Sequence, residues 1–530
     1  MDIENTNEEA EDNLNDEQQS DIFLLENSFR YQILSIDLSD IGDDINLNDE
    51  NRTFEIKQRK EGFNKNLAIA VGAAALGSAF QHGYNTGVIN NPQEVIMNFT
   101  SSVLQKRNGE HPTETALTLI WSITVSIYCV GGMIGGAITG YVANTFGRKK
   151  GLLMNNIIVF LAALLEGVSK SANSFEMIIF GRFLIGINSG LNAGLAPMYL
   201  SEISPVNLRG AIGSVYQLVI TISILIAQIL GINSILGNDA MWPVLLAITA
   251  LPALLQLAIL PLCPESPKYL LCTKQKQTEA QKALIWLRSS PSVQQEMDEM
   301  QQEAQTLKMI QKVTLRELIV QPALRIPLII SIVLMIAQQL SGINAVIFYS
   351  TEIFKSSGLT IEAASYATLA IGFINVVMTV ISLILVEKAG RKTLLLIGFG
   401  GMSIVTLLLS IALQYHNVQA VSYLSIFLVV LFIILFATGP GSIPWFIVSE
   451  LFNQSSRPTA TSLAVTVNWI ANFFVGIGFL PLKNIIGAHV FIIFTVILVL
   501  TVVFTYRKVP ETKNKTMEEI STLFRQQSYQ

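Results

Sequence analysis

The sequence predicts an all-α integral membrane protein, with twelve transmembrane helices in two pseudo-symmetric six-helix bundles. Three observations predict it: the composition, a series of apolar runs of bilayer length, and a set of motifs that occurs twice. Of 530 residues, 51% are apolar and 14% charged, where a soluble domain carries about a quarter charged residues. Mean hydropathy is +0.49. Charge is spread unevenly. Residues 1–50 hold sixteen Asp and Glu against one basic residue, Arg30, which leaves the rest of a chain of net charge −5 strongly basic. Residues 1–65 therefore read as an acidic cytosolic tail that buries too little to fold. They lack the basic start and early apolar run of a cleavable signal. Cys129, Cys263 and Cys272 show neither disulfide nor metal-ligand spacing and read as reduced thiols. The spans contain no nucleotide loop, nucleophile elbow or metal cluster, so neither an enzyme, a cofactor, a metal nor nucleic acid is implied.

A bilayer-crossing helix needs about 20 mostly apolar residues. Such runs lie near 67–89, 119–143, 152–169, 176–200, 212–232 and 241–262, and again near 326–350, 364–386, 393–413, 421–447, 458–481 and 489–507. They divide the chain into bundles at 66–262 and 326–507. Between them, 263–325 is too charged to span and reads as a cytosolic linker of short helices, and 508–530 reads as a second cytosolic tail. Basic residues set the orientation. Arg148-Lys149-Lys150, Arg209, Lys388, Arg391-Lys392, Arg457 and Arg507-Lys508 all fall on one side, which places both termini in the cytosol. The long outer connection, 90–118, carries Asn98-Phe99-Thr100, an acceptor pattern for N-glycosylation. The glycine-rich GGMIGG at 131–136 reads as a helix-packing pattern.

The halves repeat one another. FGRKK (146–150) returns as AGRKT (389–393), SEISPVNLR (201–209) as SELFNQSSR (449–457), and PESPK (264–268) as PETKN (510–514). The three offsets are nearly equal, as expected of two homologous six-helix halves that hold a ligand between them near the midplane.

More specific stretches are GYNTGVINNPQ (83–93), GRFLIGINSGL (181–191), PESPKYLL (264–271), QQLSGINAVIFYST (338–351), GPGSIPWFIVSELF (439–452), NWIANF (468–473) and VPETK (509–513). On these the chain resembles facilitative hexose transporters of the sugar porter family, in the major facilitator superfamily. The likeness runs over residues 66–515. It implies a plasma-membrane carrier among lipids whose partner is a small-molecule hexose, most simply D-glucose, with fructose second.

A hexose is a neutral polyol, and side-chain amides both donate to and accept from its hydroxyls without adding charge. The resemblance implies that Gln217, Gln338, Gln339, Asn344 and Asn375 contact the sugar, with Trp445 packing on the ring. Asn468 is a further candidate, although a helix–helix bond explains it equally well. Gln228 matches a family position one step back from the sugar. Two departures stand out. Ala437 precedes GPG where glucose carriers have glutamate, as in fructose-handling relatives, and Met335-Ile336-Ala337 replaces the Gln-Leu-Ser of glucose-selective members.

Proton-coupled members carry an aspartate where this chain has Asn85, and an amide cannot titrate. No Asp falls in any span, and His82 is the titratable group near that position. Uniport is the reading, with proton symport and a non-transporting sugar sensor as alternatives. A cytosolic gate is expected from Arg148, Glu202 and Arg209 in one half and Glu387, Arg391, Glu450 and Arg457 in the other. The resemblance also implies that Phe348 and Tyr349 lie near the outer lid.

Overall fold

The structure is a computed structural model that describes residues 64–528 apart from 206–207, 310–312, 416–417, 454, 514 and 516. The acidic stretch before residue 64 thus lies outside the described residues, as does the side chain of Glu387. Regular structure among the described residues is helical throughout.

In the first half, α1 (Lys65–Ala74) and α2 (Phe80–Gly87) are joined by a π-helical turn. A surface helix, α3 (Gln93–Asn108), comes next. Then come α4 (Glu114–Thr145), α5 (Arg148–Val168), α6 (Glu176–Ile203), α7 (Arg209–Leu230) and the pair α8 (Trp242–Ala247) and α9 (Ala250–Ile259). The linker forms α10 (Gln277–Arg288), α11 (Gln294–Met309) and α12 (Leu315–Val320). The second half contains α13 (Pro322–Leu340), α14 (Ile343–Ser356), α15 (Ile361–Ala389), α16 (Arg391–Ala412), α17 (Gln419–Thr438), α18 (Ile443–Leu451), α19 (Arg457–Ile486) and α20 (Val490–Lys508). A last helix, α21, covers Met517–Ser528. Ten helical stretches among the described residues are long and apolar enough to cross a membrane. The broken α1–α2 run is not among them, and α19 and α20 count as one stretch because only a 3-10 turn separates them.

Helix starts reflect local chemistry. The side chains of Asn64, Thr113 and Thr360 accept from backbone N–H groups of the first turns of α1, α4 and α15. Two long apolar runs are interrupted where the site lies. Gly342, at φ +96°, separates α13 from α14, a left-handed conformation that costs a residue with a Cβ roughly 1–2 kcal/mol. The Gly439–Ser442 turn separates α17 from α18, and Pro444 sits in the first turn of α18.

Small residues set the closest packing. A methyl group on Gly186 would meet the Tyr128 carbonyl, and one on Gly190 the Gly132 carbonyl, so α4 and α6 meet backbone to backbone. Two seams join the halves: α4 packs on α19, and α7 on α15. The linker divides its attachments. Asn64 Nδ2 donates to Leu287 O and Arg288 Nη1 to Ile203 O, both at the first half. Val313 N donates to Ser455 O, at the second. Although the C-terminal stretch reads as a tail, its end is a helix against α13, with Ile520 and Phe524 buried. Ile520, Leu523 and Phe524 recur at helical spacing, and that stripe is what docks it.

Candidate functional site

A cavity of about 400 Å³ lies between the two seams. Gln217 reaches it from the first half, and Gln338, Gln339, Asn344, Asn375, Trp445 and Asn468 from the second. It merges with a chamber of about 630 Å³ that shares Gln217, Asn375 and Trp445 and extends to Arg391 and Glu450. The site is therefore approached from the end carrying the basic loops. The sequence-derived amides and the tryptophan are brought to one place.

The amides divide into two sets. Gln338 Nε2 donates to Pro440 O at 2.9 Å and Gly441 O at 2.8 Å, carbonyls that the break between α17 and α18 leaves without helical partners. Asn468 Nδ2 donates to Gln338 Oε1 at 2.9 Å, and Gln339 Nε2 donates to Asn468 Oδ1 at 2.9 Å. Asn344 Nδ2 donates to Gln339 Oε1. This chain of four amides spans α13, α14 and α19. Asn468 thus makes a helix–helix bond and also lines the cavity. Gln217, Asn375 and the 44%-exposed Trp445 form the more open wall. Ala437 lines the wider chamber, whereas Met335 and Ala337 are buried in the packing of α13. Gln228 is buried away from both cavities, beside Gly372 of α15.

His82, singled out in the sequence as the titratable group near Asn85, lines the cavity, and so do Tyr128, Tyr216, Trp469 and Asn472, which sequence reasoning does not single out. The rings of His82 and Trp469 stack across the halves, centroids 6.3 Å apart and 22° between planes, and His82 Nδ1 lies 3.3 Å from Tyr216 Oη. Conversely, many intramembrane amides belong to no cavity. Gln81 Nε2 donates to Asn156 Oδ1, Asn156 Nδ2 to Gln256 Oε1, and Asn192 Nδ2 to Gln81 Oε1, a buried network inside the first half.

At the end opposite the basic loops the halves are bonded together. Asn90 Nδ2 donates to Ile347 O at 2.9 Å and Ser350 Oγ at 2.6 Å. Thr351 Oγ1 donates to Asn91 Oδ1 at 2.7 Å. Lys355 Nζ pairs with Glu94 across the halves at 2.9 Å, and Lys483 with Glu352 at 2.8 Å within the second half. Phe348 lines the cavity next to this closure, and Tyr349 Oη donates to Gly476 O.

At the basic end each half closes on itself. Arg148 pairs with Glu202 at 2.9 Å, and Arg391 with Glu450 at 2.7 Å. Ser266 Oγ donates to Glu202 and Thr512 Oγ1 to Glu450. Glu265 accepts from the backbone N–H groups of Arg148 and Lys149 just past Gly147, and Glu511 from those of Arg391 and Lys392 just past Gly390. Burial opposes the ionised form of Glu511, but the N–H donors of Arg391, Lys513, Lys392 and Thr512 outweigh it and hold the carboxyl below its usual range. Arg209 Nε donates to Ser201 O and Arg457 Nε to Phe452 O, again within one half.

A helical membrane protein with a polar, uncharged cavity between two repeated halves, open at one end and bonded shut at the other, is a carrier for a small neutral ligand. The pattern defining the family "Sugar (and other) transporter" matches residues 70–524. Facilitated glucose transporter member 1 of solute carrier family 2 from Gallus gallus is 50% identical over 461 residues, covering 87% of this chain and 94% of that protein. Member 3 from Mus musculus is 46% identical over 464 residues, with the same coverage. Among solved structures, the inward open conformation of the xylose transporter XylE from E. coli superposes with a TM-score of 0.73 at 27% identity, over 86% of this chain and 99% of that one. A partially occluded inward open conformation of the same transporter gives 0.71 at 26%, over 86% of this chain and all of that one. The chain belongs to the sugar transporter family and has its major facilitator fold.

Proposed function

We propose that this protein is a hexose uniporter, with D-glucose the foremost substrate and fructose the second. It works by alternating access across the plasma membrane, with both termini and the basic loops in the cytosol. The carrying observation is the shared cavity: Gln217 of the first half faces Asn375, Trp445 and the Gln338–Asn468 amide chain of the second. Neutral amides replace the sugar's water, each net hydrogen bond contributing about 0.5–1.5 kcal/mol. A few such bonds give a millimolar complex, roughly −4 kcal/mol, from which cargo can leave. Uniport is supported by the nature of Asn85, a buried amide that cannot titrate and whose Nδ2 donates to Thr249 Oγ1 and Gln81 O.

The twelve-helix, two-bundle reading is supported by counting α1–α2 as one crossing and α19 and α20 as two. The named substrates of the Gallus and Mus relatives support hexose. Ala437 on the chamber wall supports tolerance of fructose, since no carboxylate is there to select a hydroxyl. We take the cytosolic gate to be made by the Arg148–Glu202 and Arg391–Glu450 pairs with Arg209, Glu387 and Arg457. In this structure the pairs lie within their own halves, as an open gate requires. Asn98 is exposed on α3, at the end opposite the basic loops, where glycosylation would occur.

The test is equilibrium exchange of labelled glucose and fructose in proteoliposomes with and without a proton gradient. Saturable exchange without accumulation is expected. Accumulation driven by the gradient would replace uniport by symport, and no exchange at all would favour a sensor.

A further inference from the structure

The first half buries one acid and one base that neither the cavity nor the gate uses. Glu166, on the last turn of α5, is 1% exposed, and neither carboxylate oxygen has a hydrogen-bonding partner. Arg182 of α6 is fully buried. Its Nη1 donates to the Asn85 carbonyl at 2.8 Å, and its guanidinium carbon lies 4.8 Å from the centre of the Tyr128 ring. Nε and Nη2 of Arg182 donate to nothing. Glu166 packs directly against Gly181, the residue before Arg182, close enough for the two charges to interact although no hydrogen bond joins them. Other titratable groups facing the pair are Tyr84 of α2 and Tyr128 and Cys129 of α4. The helices α8 and α9, which also pack on α5, bring none.

An arginine stays charged at any pH a cell meets. Inside a membrane such a charge needs a partner, and an acid beside it supplies one. The Glu166 oxygens have no donors of their own, so Arg182 alone supports the ionised carboxylate. Arg182 also touches the cavity wall. Asn85 is next to Thr86, which lines the cavity and lies with its Oγ1 3.3 Å from the Tyr128 hydroxyl. The Tyr128 ring in turn meets Trp469 edge-on at 6.0 Å, across the halves.

We propose that Glu166 is a proton-binding site whose charge, acting through Arg182, positions the Asn85–Tyr128 wall of the hexose cavity. Ionised, it balances the guanidinium. Protonated, it leaves the whole positive charge on the Asn85 carbonyl and the Tyr128 ring, and hexose binds less well. The proton tunes the carrier and is not cargo, which separates this site from the uniport reading.

The experiment is glucose equilibrium exchange by the full chain in proteoliposomes, with equal pH on both sides, between about pH 5 and pH 8. Wild-type KM should rise about two- to tenfold in acid, the size of one hydrogen bond, with a smaller change in maximal rate. Glu166→Gln should hold the acid KM at every pH, and Glu166→Asp should keep a pH dependence with a shifted midpoint. His82→Gln, which removes the imidazole in the cavity, should leave the profile in place. A flat wild-type KM overturns the proposal, as does a profile that survives Glu166→Gln and vanishes in His82→Gln. If the glutamine variant does not fold, Glu166→Asp decides, and an unmoved midpoint overturns it. Uphill accumulation of sugar would instead overturn the uniport reading and leave the Glu166 profile to be judged by the same variants.

Discussion

Gln338 satisfies two backbone carbonyls at a helix break and also presents its amide region to the cavity. Removing it should damage the fold and the site together. Gln338→Leu strands the Pro440 and Gly441 carbonyls and one side of Asn468, at a cost of about 1–3 kcal/mol of stability, visible as a lower melting temperature in detergent. Gln217→Leu and Asn375→Ala strand nothing comparable. They should leave melting unchanged and raise the glucose KM about two- to tenfold, one hydrogen bond each. In the sequence these amides look alike. Gln81, Asn156 and Asn192 sit in apolar runs just as Gln338 and Asn375 do, yet they bond to one another inside the first half. Helical spacing says which residues share a face, but not whether that face meets a neighbouring helix or a cavity. Family resemblance supplied that information for the amides that line the cavity. It offered none for His82, Tyr216 or Trp469, whose ring contacts depend on the partner half, or for Glu166, which carries a charge the family motifs do not mention.

Helices here are defined by their interruptions as much as by their lengths. Breaks at Gly342 and at 439–442 fall on the two elements that carry Gln338, Gln339, Asn344 and Trp445; the second is legible as Pro440 and Pro444 in an apolar run, whereas 326–350 reads as one unbroken span. The docked α21 was harder to read, because a short amphipathic stripe after a charged turn resembles any soluble tail. The α4–α6 contact is the most exacting in the first half. Gly190→Ala puts a methyl group against the Gly132 carbonyl and must push the helices apart. A destabilisation of about 1–3 kcal/mol is expected, read as thermal denaturation in detergent. Gly72→Ala, where an added methyl meets nothing, is the matched control.

The cavity opens toward the end carrying the basic loops because the other end is bonded shut. Lys355 couples the halves there through Glu94, and Lys355→Glu would set a new carboxylate beside Glu94 and Glu352. Exposed pairs contribute about 0.2–1 kcal/mol. Entry and exit constants should therefore shift relative to each other by less than about tenfold, and adding Glu94→Lys should restore them. At the basic end, charge reversal at Glu202 or Glu450 should slow net transport while leaving sugar binding largely intact; unchanged turnover would argue against a gate there. The attachments of the linker have their own corollary. Up to α10 the linker is bonded to the first half through Leu287 and Arg288, and the pairing of Lys268 with Glu303 holds α11 to the start of the linker. Val313, bonded to Ser455 and Thr459, anchors the rest of the linker to the second half. The attachments described on either side of residues 310–312 therefore go to different halves. Two fragments severed just beyond Met309 and made in the same cell should find each other and reconstitute a working carrier.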